Sequence, residues 1–161
     1  MPLASPHDSA VLFPSVRAGP PESTQEHIMI LGLAHVCFTV SSLDRAIEFY
    51  SGKLGFKIAF EFRHDTGVRF GVYLKAGARS FIEIFEGHLA PCAEKQSYGH
   101  ICLEVDDIGA TVADLRAKGI DCTDPKVGKD QSWQVWLADP DGNRIELQCY
   151  TPASWQSPYL E

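Results

Sequence analysis

The chain has 161 residues, 14 Lys and Arg against 21 Asp and Glu, a formal charge of −7 and 45% hydrophobic residues, the proportions of a soluble globular protein with one domain or at most two small ones. No apolar run approaches the ~20 residues of a membrane span, and the acidic balance supplies no basic stripe for nucleic acid. The five cysteines are odd in number, lack paired spacing and form no C-x-x-C, so they do not read as a disulfide framework and the expected compartment is a reducing cytoplasm.

Residues 1–29 are rich in Pro, Ser, Gly and Ala. Pro2, Pro6, Pro14, Pro20 and Pro21 break regular structure, and a flexible tail is the expectation. Its apolar run, residues 10–13, is too short for a secretory signal, and one Arg against three acids does not fit a transit peptide. Met29 offers an alternative start. The folded domain is expected over residues 30–151, with a C-terminal tail over 152–161.

Residues 33–40 alternate, with Val36, Phe38 and Val40 on one face and His35, Cys37 and Thr39 on the other. Ser41 and Ser42 offer N-caps to a helix carrying Leu43, Ala46, Ile47 and Tyr50, stopped by Gly52 and Gly55. Strand-like runs follow at 56–63, 68–75 and 80–85, separated by turn residues. A linker is expected over 87–97. The pattern then restarts with an alternating run over 99–105. Asp106 and Asp107 can cap a helix carrying Ile108, Val112 and Leu115. Shorter strands are expected near Ile120 and over 133–138 and 143–150, the last two joined by a turn at Asp139-Pro140-Asp141-Gly142.

The halves superpose in sequence: His35-Val-Cys-Phe-Thr-Val matches His100-Ile-Cys-Leu-Glu-Val, and Glu83 matches Glu146 at nearly the same offset. An internal repeat explains both. The expected fold is α+β, two βαβββ repeats spanning 31–86 and 98–150, each a sheet with one helix-covered and one open face.

The aliphatic neighbours of four residues mark the helix-covered face: Val36, then Ile82 and Ile84, then Ile101, then Ile145 and Leu147. The period of two therefore puts His35, Glu83, His100 and Glu146 on the open faces. A lone strand His or Glu is usually structural or solvated. The recurrence of His, Glu, His, Glu at one strand position in both halves points instead to a divalent metal site with positions left for water or substrate. Cys37 and Cys102 share these faces and are expected to pack beneath the site. Phe81, Phe85, Arg69, Tyr73 and Trp133 are candidate pocket-lining residues.

The chain resembles the vicinal oxygen chelate superfamily over residues 31–150. The markers are Gly32-Leu-Ala-His35, Leu43-Asp-Arg-Ala-Ile-Glu-Phe-Tyr50, Phe81-Ile-Glu83-Ile, Tyr98-Gly-His100-Ile and Asp139-Pro-Asp-Gly-Asn-Arg-Ile-Glu146-Leu. The resemblance implies the glyoxalase/bleomycin-resistance/dioxygenase fold. His35, Glu83, His100 and Glu146 match the metal ligands of glyoxalase I (lactoylglutathione lyase), for one divalent ion per site: Zn, Ni, Co, Mn or Fe. It implies proton transfer next to a carbonyl through a metal-bound enediolate, with Glu146 as the base and Glu83 handling the proton on the opposite face.

The small-molecule substrate would carry vicinal oxygens, and the chain would form a homodimer whose halves pair within a chain or across two. Two positions depart from the glutathione-dependent pattern: Thr39 stands where an Arg is common, and Gly87 where an Asn is. They favour a rival reading, a glutathione-independent epimerase or isomerase of a hydroxyketone, sugar-like or acyl substrate. Lys126 and Lys129 are left as candidate contacts for an anionic substrate. A dioxygenase and a non-catalytic drug-binding resistance protein are further alternatives.

Overall fold

A computed structural model describes residues 32–89 and 98–160. The expected N-terminal tail, Met29, Cys92 and most of the expected linker lie outside the described residues.

The alternation at the start of the first half becomes strand β1 (His35–Val40), which buries Phe38 and Val40 and exposes His35, Cys37 and Thr39. Helix α1 (Leu43–Ile47) follows, with the Ser42 hydroxyl accepting from the Arg45 N–H. The helix does not end at Ile47: residues Glu48–Lys53 continue it as a π-helical segment. This widened turn sends both Phe49 and Tyr50 into the core, their rings 5.2 Å apart and nearly perpendicular. Gly55 then takes φ +83°, a left-handed conformation that costs glycine nothing. Strands β2 (Lys57–Arg63), β3 (Arg69–Lys75) and β4 (Phe81–Glu86) complete the unit.

The second half repeats it. Strand β5 (Ile101–Glu104) leads to α2 (Ile108–Ala117), whose Asp107 side chain accepts from Ala110 N–H at 2.9 Å. Strands β6 (Lys126–Val127), β7 (Trp133–Ala138) and β8 (Arg144–Cys149) follow. The sheets have equivalent orders, β1-β4-β3-β2 and β5-β8-β7-β6. In each, the first strand runs parallel to the last, and the remaining pairs are antiparallel. This is the α+β architecture of two βαβββ units read from the repeat.

One element differs. Near Ile120 the pairing is reduced to an isolated antiparallel bridge, Cys122 to Leu137, and Ile120 itself is not in a strand. Instead Gly119, at φ +70°, turns the chain out of α2, and the Ile120 N–H returns to the Leu115 carbonyl at 2.9 Å. Ile120 is buried as a cap on the helix end, and the edge strand forms later, at Lys126–Val127.

The helix-facing side chains of both sheets form one core. Val72, Leu74, Ile82 and Ile84 of the first sheet and Val135 and Ile145 of the second are fully buried. Each such side chain contributes about 1.5–3 kcal/mol relative to exposure. The turn 139–142 of the second unit docks on the start of the first unit's helix. The Ser41 N–H and hydroxyl donate to the Asp141 carboxylate, Arg45 donates to the Pro140 carbonyl, and the Tyr50 hydroxyl donates to Asp139. Residues 152–160, expected as a C-terminal tail, are tied back by bonds from Trp155 N–H to the Asp130 carbonyl and from Gln156 Nε2 to the Asp130 carboxylate.

Candidate active site

Strand pairing lays the open face of the first sheet out in three rows. His35 registers with Phe81, which registers with Lys75 and then Lys57. Cys37 leads through Glu83 and Tyr73 to Phe60. Thr39 leads through Phe85 and Gly71 to Phe62. His35 Nε2 stands 3.7 Å from Glu83 Oε2, and the Tyr73 ring is edge-on to the imidazole at 5.7 Å.

The second sheet repeats the middle row as Cys102, Glu146 and Trp136. Here His100 Nε2 is 3.0 Å from Glu146 Oε2, and the Trp136 ring meets the His100 ring at 4.8 Å and 79°. Glu146 is only 6% exposed, a degree of burial that a carboxylate tolerates when it is paired or bound to a cation. The Arg144 guanidinium lies over the Trp136 ring, 4.6 Å from its centre.

Each thiol faces the carboxylate of its own row. Burial chiefly, and then the Glu83 carboxylate, push the Cys37 thiol up to about 11. Burial and then Glu146 push Cys102 up to about 12. Both thiols are therefore held neutral in the metal-free protein.

The four expected ligands fall into two like pairs and not into one cluster. Among the described residues, no three His, Cys, Asp or Glu side chains lie together in a metal-binding group. Imidazole nitrogen and carboxylate oxygen are suitable donors for a divalent ion. One pair alone fills only part of a coordination shell, so the donor set fits a metal when the two pairs meet.

Two expected lining residues are not on the open faces. A register irregularity between Phe62 and Arg63 leaves Phe70 without a partner on β2, a bulge that reverses the local alternation. Arg69 therefore turns to the helix side, where it bonds Glu61 and Asp44. Phe70 takes the open face, its ring 5.8 Å from Phe85 and nearly parallel. Trp133 shares the parity of buried Val135 and Leu137, so the alternation gives the open face to Trp136. That parity was the available signal for Trp136. Phe81, Phe85 and Tyr73 are where they were expected. The His64 ring stacks on Phe70 at 4.4 Å.

The two departures from the glutathione-dependent pattern are neighbours. A Cβ at Gly87 would lie 2.9 Å from the Thr39 methyl carbon, so at this spot the first sheet presents two small, uncharged residues packed together.

With this fold and these paired strands in view, comparison with known proteins places the chain in a class. Residues 32–147 match the Glyoxalase/Bleomycin resistance protein/Dioxygenase superfamily, and the chain belongs to that superfamily. It is 31% identical over 122 residues to a probable lactoylglutathione lyase of Vibrio cholerae, covering 71% of this chain and 88% of that protein. A glyoxalase family protein from Enterococcus faecalis superposes with a TM-score of 0.63 at 26% identity, over 73% of this chain and 97% of that one. An antibiotic binding protein from a Streptomyces species superposes with a TM-score of 0.63 at 25% identity, over 78% and 100%.

Proposed function

We propose that the protein is a metal-dependent lyase or isomerase of the glyoxalase I type, acting on a small molecule with vicinal oxygens. The observation that carries the reading is the duplicated pair: His35 with Glu83 and His100 with Glu146, at one strand position in two equivalent sheets. Likeness to the Vibrio cholerae protein supports it.

His35, Glu83, His100 and Glu146 would hold the divalent ion. Because the pairs are separate within a chain, the first pair of one chain would meet the second pair of another in a homodimer, the pairing expected of a symmetric association. When bound, the ion supplies Lewis-acid stabilisation of charge that develops on the oxygens beside the reacting carbon.

The chain's own groups handle the proton. Glu146 would take it from the carbon next to the carbonyl and return it to the neighbouring carbon, the former carbonyl carbon, and Glu83 would handle the proton on the opposite face. Glu146 is only 6% exposed, so little bulk water reaches this carboxylate. His100 and Trp136 fix its position. His35 and His100 stay in place as ligands.

A second reading has its own support. The packed pair Thr39 and Gly87 removes the two glutathione-type contacts, which favours an epimerase or isomerase working without glutathione. The antibiotic binding neighbour raises sequestration without turnover, a role that has no use for two carboxylates opposite two imidazoles.

The test is metal analysis and turnover of wild type and Glu146→Gln. Wild type purified without chelator is expected to hold one divalent ion per site, and Glu146→Gln to lose at least ~100-fold in turnover. A wild type that binds no metal sinks the site, and full turnover by Glu146→Gln sinks the base assignment. Consumption of the methylglyoxal–glutathione hemithioacetal separates the two substrate readings.

A further inference from the structure

The open face of the first sheet is dominated by aromatic rings. Phe60, Phe62, Phe70, Tyr73, Phe81 and Phe85 form a continuous patch. Phe60 stacks on Tyr73 at 4.7 Å and 18°, and Phe70 stacks on Phe85 at 5.8 Å and 13°. Between these stacks Phe62 stands edge-on to Phe60 at 74° and to Tyr73 at 81°. None of the six rings is fully buried, and Phe60 is 49% exposed. A solvent-facing aromatic patch of this kind marks a binding surface.

The patch is built to be flat. Gly71 sits in its centre, and a Cβ there would come 2.4 Å from the Phe85 ring. Glycine lets that ring lie down on the sheet. The bulge at Phe70 adds one more ring and turns Arg69 away. The two rows beyond His35 carry one charge, Glu83, and the row from Thr39 to Phe62 carries none. In the nearest row, the Lys75 ammonium is held by the Ala78 carbonyl and the Phe81 ring.

The equivalent row of the second sheet is Glu104, Gln148, Gln134 and Lys126, so the aromatic character is not a general property of the repeat unit. It is also continuous with the candidate active site, because Tyr73 registers with Glu83 and packs on His35.

We propose that the substrate bears an aromatic ring, which lies on Phe60, Phe62, Tyr73 and Phe85 while its vicinal oxygens reach the His35–Glu83 pair. This rests on the metal-dependent reading above. An aromatic guest gains stacked and edge-to-face contacts from such a floor that an alkyl guest of the same reach does not. A charged peptide-like substrate finds one carboxylate and an uncharged surface there.

The test is calorimetric titration of the full-length, metal-loaded protein with two probes that share an α-hydroxyketone, 2-hydroxyacetophenone and hydroxyacetone. Metal content is measured on the same sample. The phenyl compound is expected to bind at least ~10-fold more tightly. Phe60→Ser and Phe62→Leu are each expected to cut that preference at least ~3-fold, with metal content and hydroxyacetone binding unchanged.

Phe60→Ser removes a half-exposed ring from an edge strand and leaves the core untouched, so it separates recognition from folding. Metal bound at full stoichiometry with no phenyl preference, or with a preference both variants retain, overturns the aromatic substrate and leaves the metal-dependent reading standing. A patch covered only by a second copy of the chain gives the first of those results. Failure to bind metal overturns both.

Discussion

The Tyr50 hydroxyl donates to Asp139 Oδ2 at 3.0 Å across 89 residues of sequence, joining the helix of the first unit to a turn of the second. Asp139 is 5% exposed and accepts three further bonds, from Asp141 N–H, Asn143 N–H and Asn143 Nδ2. Removing Tyr50's hydroxyl leaves the carboxylate three donors, whereas removing the carboxylate strands all four. Tyr50→Phe is expected to cost about 1 kcal/mol and Asp139→Ala about 3 kcal/mol in urea unfolding. Equal losses would show that the turn is not held by this carboxylate.

The same contact gives a pH signature. Burial, and then the Asp139 carboxylate, push the Tyr50 phenol well above its usual value. The unfolded chain sheds this proton near pH 10 and the folded chain keeps it, so stability falls as pH climbs above about 10. In Tyr50→Phe that decline is expected to flatten, as read from melting temperatures between pH 8.5 and 11.

Pairing across two chains is open to a mixing experiment. His35→Ala and His100→Ala are each expected to be inactive alone. If sites are shared between chains, a mixed dimer holds one intact site, and co-refolding an equal mixture restores about a quarter of wild-type turnover. If each chain pairs its own halves, mixing restores nothing.

Gly71 is a structural demand of the aromatic patch. Gly71→Ala forces the Phe85 ring off the sheet at a cost of about 1–3 kcal/mol. Weakened binding of the phenyl probe should accompany it. An unchanged melting temperature would mean that Phe85 has other room.

The two thiols yield a chemical test. With Cys37 raised to about 11 and Cys102 to about 12, both are expected to alkylate with iodoacetamide in the metal-free protein at pH 8 at least ~10-fold more slowly than a free thiol. The rates should climb as pH rises past 9. Rapid reaction at pH 8 would show that the sulfurs are neither buried nor faced by the carboxylates.

Much of this was legible in residue order because a strand's period of two is rigid. Once Ile82 and Ile84 are assigned to the core, Glu83 has no other face, and the same holds for Glu146 between Ile145 and Leu147. Period-two reasoning fails where one residue is inserted. The bulge at Phe70 exchanged the faces of Arg69 and Phe70, and no residue type there announces it. Ile120 itself caps α2 while the pairing near it shrinks to the Cys122–Leu137 bridge, because a β-branched residue beside a helix-ending glycine suits either a strand or a helix cap. The separation of the two His–Glu pairs is a tertiary fact: it depends on how the two units are placed, which no local pattern encodes.

The three-row layout has a consequence for how such a protein can change. Its two units agree closely along the row of Cys, Glu and an aromatic residue, and disagree along the next, where Thr39, Phe85, Gly71 and Phe62 stand against Glu104, Gln148, Gln134 and Lys126. The row that the units share, through Glu83 and Glu146, and the row in which they differ, through Phe85 and Gln148, are thus encoded at separate, non-adjacent codons on each strand. On the function and the aromatic substrate proposed above, a shift in ligand preference can arise by substitution at positions 62, 70 or 85 of one unit alone, with His35, Glu83, His100 and Glu146 unchanged.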